Sequence, residues 1–236
     1  MKKMSNMNST LASRVVQSSP LDGLDLYTMV TAIDDVVTIK GSFFAGDYFA
    51  TSNILVPEMT AYMLDLGTKT KDKFEIASAL ESAGAKLLFS PGKYRVNFSG
   101  RCLKKDVGLT IELLAEQLIQ PAFHKNDLKS TIQRHQAELK KLTEDTRTRA
   151  IEGFLLELYP EKHPNRPLSL KDQIETLSNV RISELKEFHN KHYGLGNINI
   201  CFVGDVDHLI IERELSNHFS NWKILSSQKE IKSDLR

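Results

Sequence analysis

The chain of 236 residues carries 31 basic and 30 acidic side chains, a net charge of +1 and a hydrophobic fraction of 41%. That near-neutral balance excludes the broad cationic field through which proteins hold nucleic acid or an anionic membrane. Two cysteines, Cys102 and Cys201, are too few for a disulfide framework and read as buried, reduced thiols, and the length suffices for one core without staples.

Residues 1–24, rich in Ser, Asn and Gln, read as a loosely ordered leader or linker. They contain no run of seven apolar residues, so no signal peptide is expected and the chain is cytoplasmic by default. Residues 26–33 alternate and are β-branched, which predicts a strand. Asp34-Asp35 then predicts a tight turn, with residues 36–44 returning as the second strand of a hairpin.

The next stretch is the organising one. Between residues 54 and 66, Leu55, Met59, Tyr62, Met63 and Leu66 recur at spacings of three and four, the signature of one helical face, and Gly67 stops the helix. Asp72 or Thr70 caps a second helix over residues 73–83, with Phe74, Ile76, Ala77, Leu80 and Ala83 as its apolar stripe and Gly84 at its end. Residues 86–90 and 94–100, joined at Pro91-Gly92, predict a hairpin.

Downstream, an apolar helix over 106–119 is closed by Pro121. A long amphipathic helix over 126–144 resumes over 147–158, and three prolines within residues 159–167 require an irregular loop. Helices over 170–177 and 182–192, a buried strand over 197–203 and a last helix over 206–219 follow. This order predicts an α+β fold of two layers, a largely antiparallel sheet with helices packed on one face. A single domain is expected over residues 25–225, with a polar tail over 226–236.

Chemistry is hard to find. Two histidine pairs have helical spacing, His135-x-x-Glu138 and His189-x-x-His192, but neither has a general base and third ligand beside it. Both read as polar, solvated helix faces. There is no Gly-x-Ser-x-Gly elbow, no phosphate-binding glycine loop and no activated cysteine. Lys129, Arg134, Lys140 and Lys141 are balanced by Glu138, Glu144 and Asp145, as on a solvent-facing helix.

The order of these landmarks resembles the pitrilysin/insulinase superfamily of zinc metallopeptidases. The residues that carry the resemblance are the helix ending Met-Leu-Asp-Leu-Gly-Thr68, the following helix to Gly84 and the Leu113-to-Phe123 segment with its Pro121-x-Phe123. His163-Pro-Asn-Arg-Pro167 and Val203-Gly-Asp-Val-Asp207 complete the set. The resemblance implies that the family's inverted His-x-x-Glu-His falls on Glu58-Met-Thr-Ala-Tyr62, so that Glu58, Ala61 and Tyr62 stand where two zinc ligands and the catalytic base would. The family's distal glutamate ligand falls on Glu138 and is kept. No catalytic, metal or cofactor site is therefore expected in this chain, and zinc is expected only in an active half or partner.

Members of the family are built of homologous halves that close around a peptide. The chain resembles the first domain of a degenerate half, with a second similar domain expected after Trp222. The function this implies is a non-catalytic domain contributing to the peptide-binding chamber and to assembly with an active half. The alternative is a stand-alone scaffold or regulatory subunit pairing with a separate active peptidase, and an active zinc endopeptidase ranks last. Expected partners are the catalytic half and peptide substrate, with no nucleic acid and no membrane span. Self-association is expected through the face left for the second domain.

Overall fold

The structure, a computed structural model, describes residues 10–161, 163 and 165–225. Its six strands are β1 (Val15–Leu21), β2 (Leu24–Val30), β3 (Val36–Phe44), β4 (Lys86–Ser90), β5 (Arg95–Leu103) and β6 (Ile198–Gly204). They form one sheet in the order β1-β2-β6-β3-β5-β4. Every pairing is antiparallel except β2 with β6, so the expected largely antiparallel α+β layer fold is what forms.

Two expectations are corrected here. Residues 26–33 and 36–44 do not make a hairpin: β6 lies between β2 and β3, pairing with both. The reason is burial. Ile198, Ile200 and Phe202 are all fully buried, and such an apolar row gains most with a neighbour on each side. The connection between β2 and β3 wraps the end of β6, with Thr31 N donating to Gly204 O and Asp205 N to Val36 O. Gly204 sits at φ +139, and a side chain there would strike the Val36 carbonyl. The second correction concerns residues 1–24. Val15–Leu21 is a strand paired with β2, not part of a loose leader. Residues 1–9 and the tail 226–236 lie outside the described residues.

Eight α-helices are described: α1 (Val56–Tyr62), α2 (Lys73–Ser82), α3 (Val107–Ile119), α4 (Lys125–Leu142), α5 (Thr146–Leu158), α6 (Leu170–Leu177), α7 (Ile182–His192) and α8 (His208–Phe219). Of the two cap candidates for α2, Asp72 takes the role, accepting from Phe74 N and Glu75 N within a capping box. The organising helix is shorter than its periodicity suggested. α1 ends at Tyr62, and the Met63–Leu66 stretch continues as turns, with Met63 N bonded to Thr60 O and Leu64 N to Ala61 O. Met63 and Leu64 are still buried, because a tight turn keeps them on the same side.

Strand alternation assigns the two faces of the sheet. Leu24, Leu26, Val37, Ile39, Phe43, Val96 and Phe98 point into the core with Met59, Ile111, Leu114 and Phe219 from the helices. The other face carries Tyr27, Thr38, Lys40, Ser42, Ser99, Arg101, Asn199 and Cys201, and a shallow depression of about 520 Å³ is centred on it. Cys102 is buried as expected, whereas Cys201 is only half-buried on that open face. No described helix is long and apolar enough to cross a membrane.

Candidate functional site

The ground plan of the site is set by α1 and its two ends. Asn53 Oδ1 accepts from Leu55 N at 2.9 Å, while Asn53 Nδ2 donates to Thr176 O, tying the start of α1 to α6. At the other end Thr68 Oγ1 and Lys71 Nζ each donate to the buried Glu116 carboxylate of α3 at 2.6 Å. Thr70 Oγ1 also donates to it. These bonds and the Lys71 charge outweigh burial and hold Glu116 below the usual carboxylate range; burial itself pulls the other way. The segments that precede and follow α1 are therefore tied to α6 and α3.

Along α1, Ala61 is buried, while Glu58 and Tyr62 are half-buried and lie one turn apart. Burial first, and then the neighbouring Glu58 carboxylate, push the Tyr62 phenol up to about 12. Glu58 itself is raised above its ordinary range by burial and by the charge of Asp47, partly offset by Tyr62 and Lys93. Asp47 comes from a 3₁₀ turn, Asp47–Phe49, and pairs with Lys93 of the β4–β5 turn at 3.3 Å.

From the facing helix α4 comes His135, whose ring packs on Tyr62 with centroids 4.4 Å apart and planes 32° from parallel. Burial, the largest influence, lowers the His135 pKa. Glu138, one turn on, approaches His135 Nδ1 at 3.9 Å and is mostly exposed. The structure places Glu58, Ala61 and Tyr62 on α1, with Glu138 of α4 near enough to act on Tyr62. It also adds His135, which helical spacing had assigned to a solvated face. His189 and His192 correct that reading further. Both are buried, His189 Nε2 donating to Leu118 O at 2.8 Å and His192 packed against Phe49 and Phe188. Their signal was the apolar company of Phe188 and Tyr193 in the sequence.

A hydrolytic zinc takes three protein ligands, an open position for water and a nearby carboxylate base. The donor set here does not fit. The position one turn from Glu58 holds a phenol kept protonated and stacked on an imidazole, and buried Ala61 has no group to move a proton. Among the described residues, no three His, Cys, Asp or Glu side chains gather so as to hold a metal ion. What α1 and α4 share is an aromatic brace, Tyr62 on His135, flanked by Glu58 and Glu138.

Beside this brace lies a cleft of about 660 Å³, lined by Asp47, Tyr48, Lys93, Tyr94, Arg166 and Asp172 among others. Tyr48 and Tyr94 pack with centroids 5.4 Å apart. Arg166 donates to Leu156 O and Tyr159 O, closing the C-terminal end of α5. Asp47 belongs to both places: it pairs with Lys93 at the cleft and acts on Glu58 at the brace.

Comparison with known proteins decides the lineage. The family model described as Insulinase (Peptidase family M16) matches residues 59–169, and that described as Peptidase M16 inactive domain matches residues 179–234. The chain belongs to the insulinase/pitrilysin superfamily. An uncharacterized zinc protease of Rickettsia bellii is 23% identical over 161 residues, covering 68% of this chain and 38% of that protein. One of Streptomyces coelicolor is 20% identical over 158 residues, covering 67% and 34%. The chain thus spans well under half the length of these insulinase-type relatives.

Among solved structures, a peptidase M16 inactive domain from Pseudomonas fluorescens superposes with a TM-score of 0.80 at 22% identity, covering 91% of this chain and 52% of that one. A protease from Helicobacter pylori gives 0.79 at 15%, covering 91% and 52%. The ferredoxin protease FusC, solved in complex with Arabidopsis ferredoxin, gives 0.74 at 16% and covers 91% and 24%. At these identities the superpositions establish the insulinase-type fold. The matches support a non-catalytic half of such a peptidase.

Proposed function

We propose that this chain is a non-catalytic domain of a pitrilysin/insulinase-type zinc protease, forming part of the wall of its peptide chamber and assembling with an active half. The observation that carries this reading is the brace between α1 and α4. In an active member, these two helices share a metal; here Tyr62 stacks on His135, and Ala61 offers no base. The retained Glu138 is one carboxylate without histidine partners. The domain keeps the surfaces that a chamber wall needs, α1, the cleft beside it and an open sheet face, without the means to activate water.

Assembly is supported by α5, which buries none of its residues and leaves Ile151, Phe154 and Leu158 exposed along one face. Such a stripe marks an interface. The partner is either the active half of the same protease or a separate active subunit, and co-purification from the native source, read by mass spectrometry, distinguishes them.

The metal aspect has its own test. Micromolar zinc is expected to leave the melting temperature of the chain unchanged. The triple variant Glu58→His, Ala61→Glu, Tyr62→His restores a ligand set around Glu138 and is expected to bind zinc stoichiometrically, with a shift of several degrees. A shift of that size in the unaltered chain would overturn the reading.

A further inference from the structure

The chain is nearly neutral, but its sheet is not. The six strands contain four cations, Lys40, Lys86, Arg95 and Arg101, against one carboxylate, Asp25. Register places all five on the open face. Asp25 already accepts from Ser19 Oγ at 2.7 Å. None of the four cations makes an ion pair among the described residues. Arg95 is engaged by the Phe44 ring at 4.2 Å and by Ser42 and Asn197. Lys40, Lys86 and Arg101 are exposed.

Their arrangement costs stability. Lys86 stands directly opposite Arg101 across the β4–β5 ladder, and like charges in that position repel. Lys40 lies diagonally beyond, opposite Ser99 on β5. At the outer edge of this basic corner is Leu88, two residues along β4 from Lys86, opposite Ser99 and 61% exposed. A solvated sheet face has no need of a repelling pair beside an exposed leucine; a face that receives negative charge has.

We propose that this corner of the open face, Lys86, Arg101 and Lys40 beside Leu88, receives an acidic polypeptide segment in which carboxylates flank an apolar residue. The inference rests on the reading of the domain as a chamber wall and names the kind of peptide that wall prefers. A polypeptide fits better than a nucleic acid for two reasons. β4 ends the sheet, so its outer backbone groups are free to pair with an extended chain, and such a strand would present every second side chain to the basic corner. Leu88 supplies an apolar contact that a phosphate backbone has no use for.

The test uses the full chain and short labelled peptides read by fluorescence anisotropy. A peptide with Asp and Glu around a central Leu is expected to bind about tenfold more tightly than its Asn/Gln counterpart at low salt. The gap narrows as salt is raised. The double variant Lys86→Glu, Arg101→Glu is expected to lose that preference and to favour a Lys-substituted peptide.

Lys86→Glu alone turns the repelling pair into an attractive one. It is expected to raise the melting temperature by roughly a degree or two while weakening the acidic peptide, which separates lost binding from lost folding. Equal affinity for the acidic and amide peptides overturns the charge preference and leaves the chamber-wall reading standing. An oligonucleotide bound as tightly as the acidic peptide also overturns it, and absence of binding to every peptide overturns both.

Discussion

Helices α3 and α5 are each 13 residues long, and both are rich in leucine and isoleucine. α3 buries nine of its residues, from Val107 to Leu118, whereas α5 buries none. The difference lies in position. α3 packs against α8 and β5 beneath the sheet, while α5 stands at the rim with its end closed by Arg166. Two helices of equal length thus differ in what they cover: α3 holds the core together, while α5, with Arg147 and Arg149 where α3 has no basic residue, leaves its apolar side chains at the surface.

The strongest way to break this contrast is to truncate each helix. Leu114→Ala in α3 is expected to cost about 2–5 kcal/mol of unfolding free energy, since it empties a fully buried site. Phe154→Ser in α5 is expected to change stability by less than about 0.5 kcal/mol in the isolated chain. Urea denaturation measures both, and equal costs would erase the distinction.

Acid provides a second test. Burial, the main cause, depresses the pKa values of His189 and His192 to about 4 from an ordinary 6.5. The unfolded chain takes up protons first as pH falls. Stability is therefore complete above about pH 6.5 and is lost progressively down to pH 4, with His189 accounting for roughly 3 kcal/mol at most. Because His189 is bonded to Leu118, the protection factors of the α3 amides, taken relative to the intrinsic exchange rate at each pH, are expected to fall between pH 7 and pH 5. α5 exchanges freely at both. A stability curve flat across that window would sink this assignment.

The smallest effect is on association. The chain is expected to self-associate at moderate concentration, and the triple variant Ile151→Ser, Phe154→Ser, Leu158→Ser to sediment as a monomer. If the variant associates as before, the exposed stripe of α5 is not the contact.

Much of this was legible in the sequence, and the boundary has physical reasons. Local signals worked: the Asp72 cap, the Pro91-Gly92 hairpin, Gly84 at φ +58 and the apolar stripe of α3 depend on neighbours a few residues away. Long-range pairing did not. Nothing in residues 26–44 reveals that a strand from residues 198–204 will part them, and Val15–Leu21 is polar enough to pass for a leader because it is an edge strand. At the site, family resemblance pointed to Glu58, Ala61, Tyr62 and Glu138. Their brace could not, since Tyr62 and His135 meet only once α1 and α4 are docked. The buried histidines of α7 were hidden because periodicity records which residues share a face and not what covers it.

The interleaving of β6 also has a consequence in time. Leu24 pairs with Ile198, so the centre of the sheet joins the start of the domain to its far end. On the ribosome, β2 and β3 emerge early and wait, each with a bare backbone edge, until nearly the whole domain has been synthesised. Such a long-range parallel pairing slows folding and leaves strands open to wrong partners in the interval. Chaperone dependence during synthesis, and misassembly of any product ending before Gly204, follow from where one seven-residue strand is inserted.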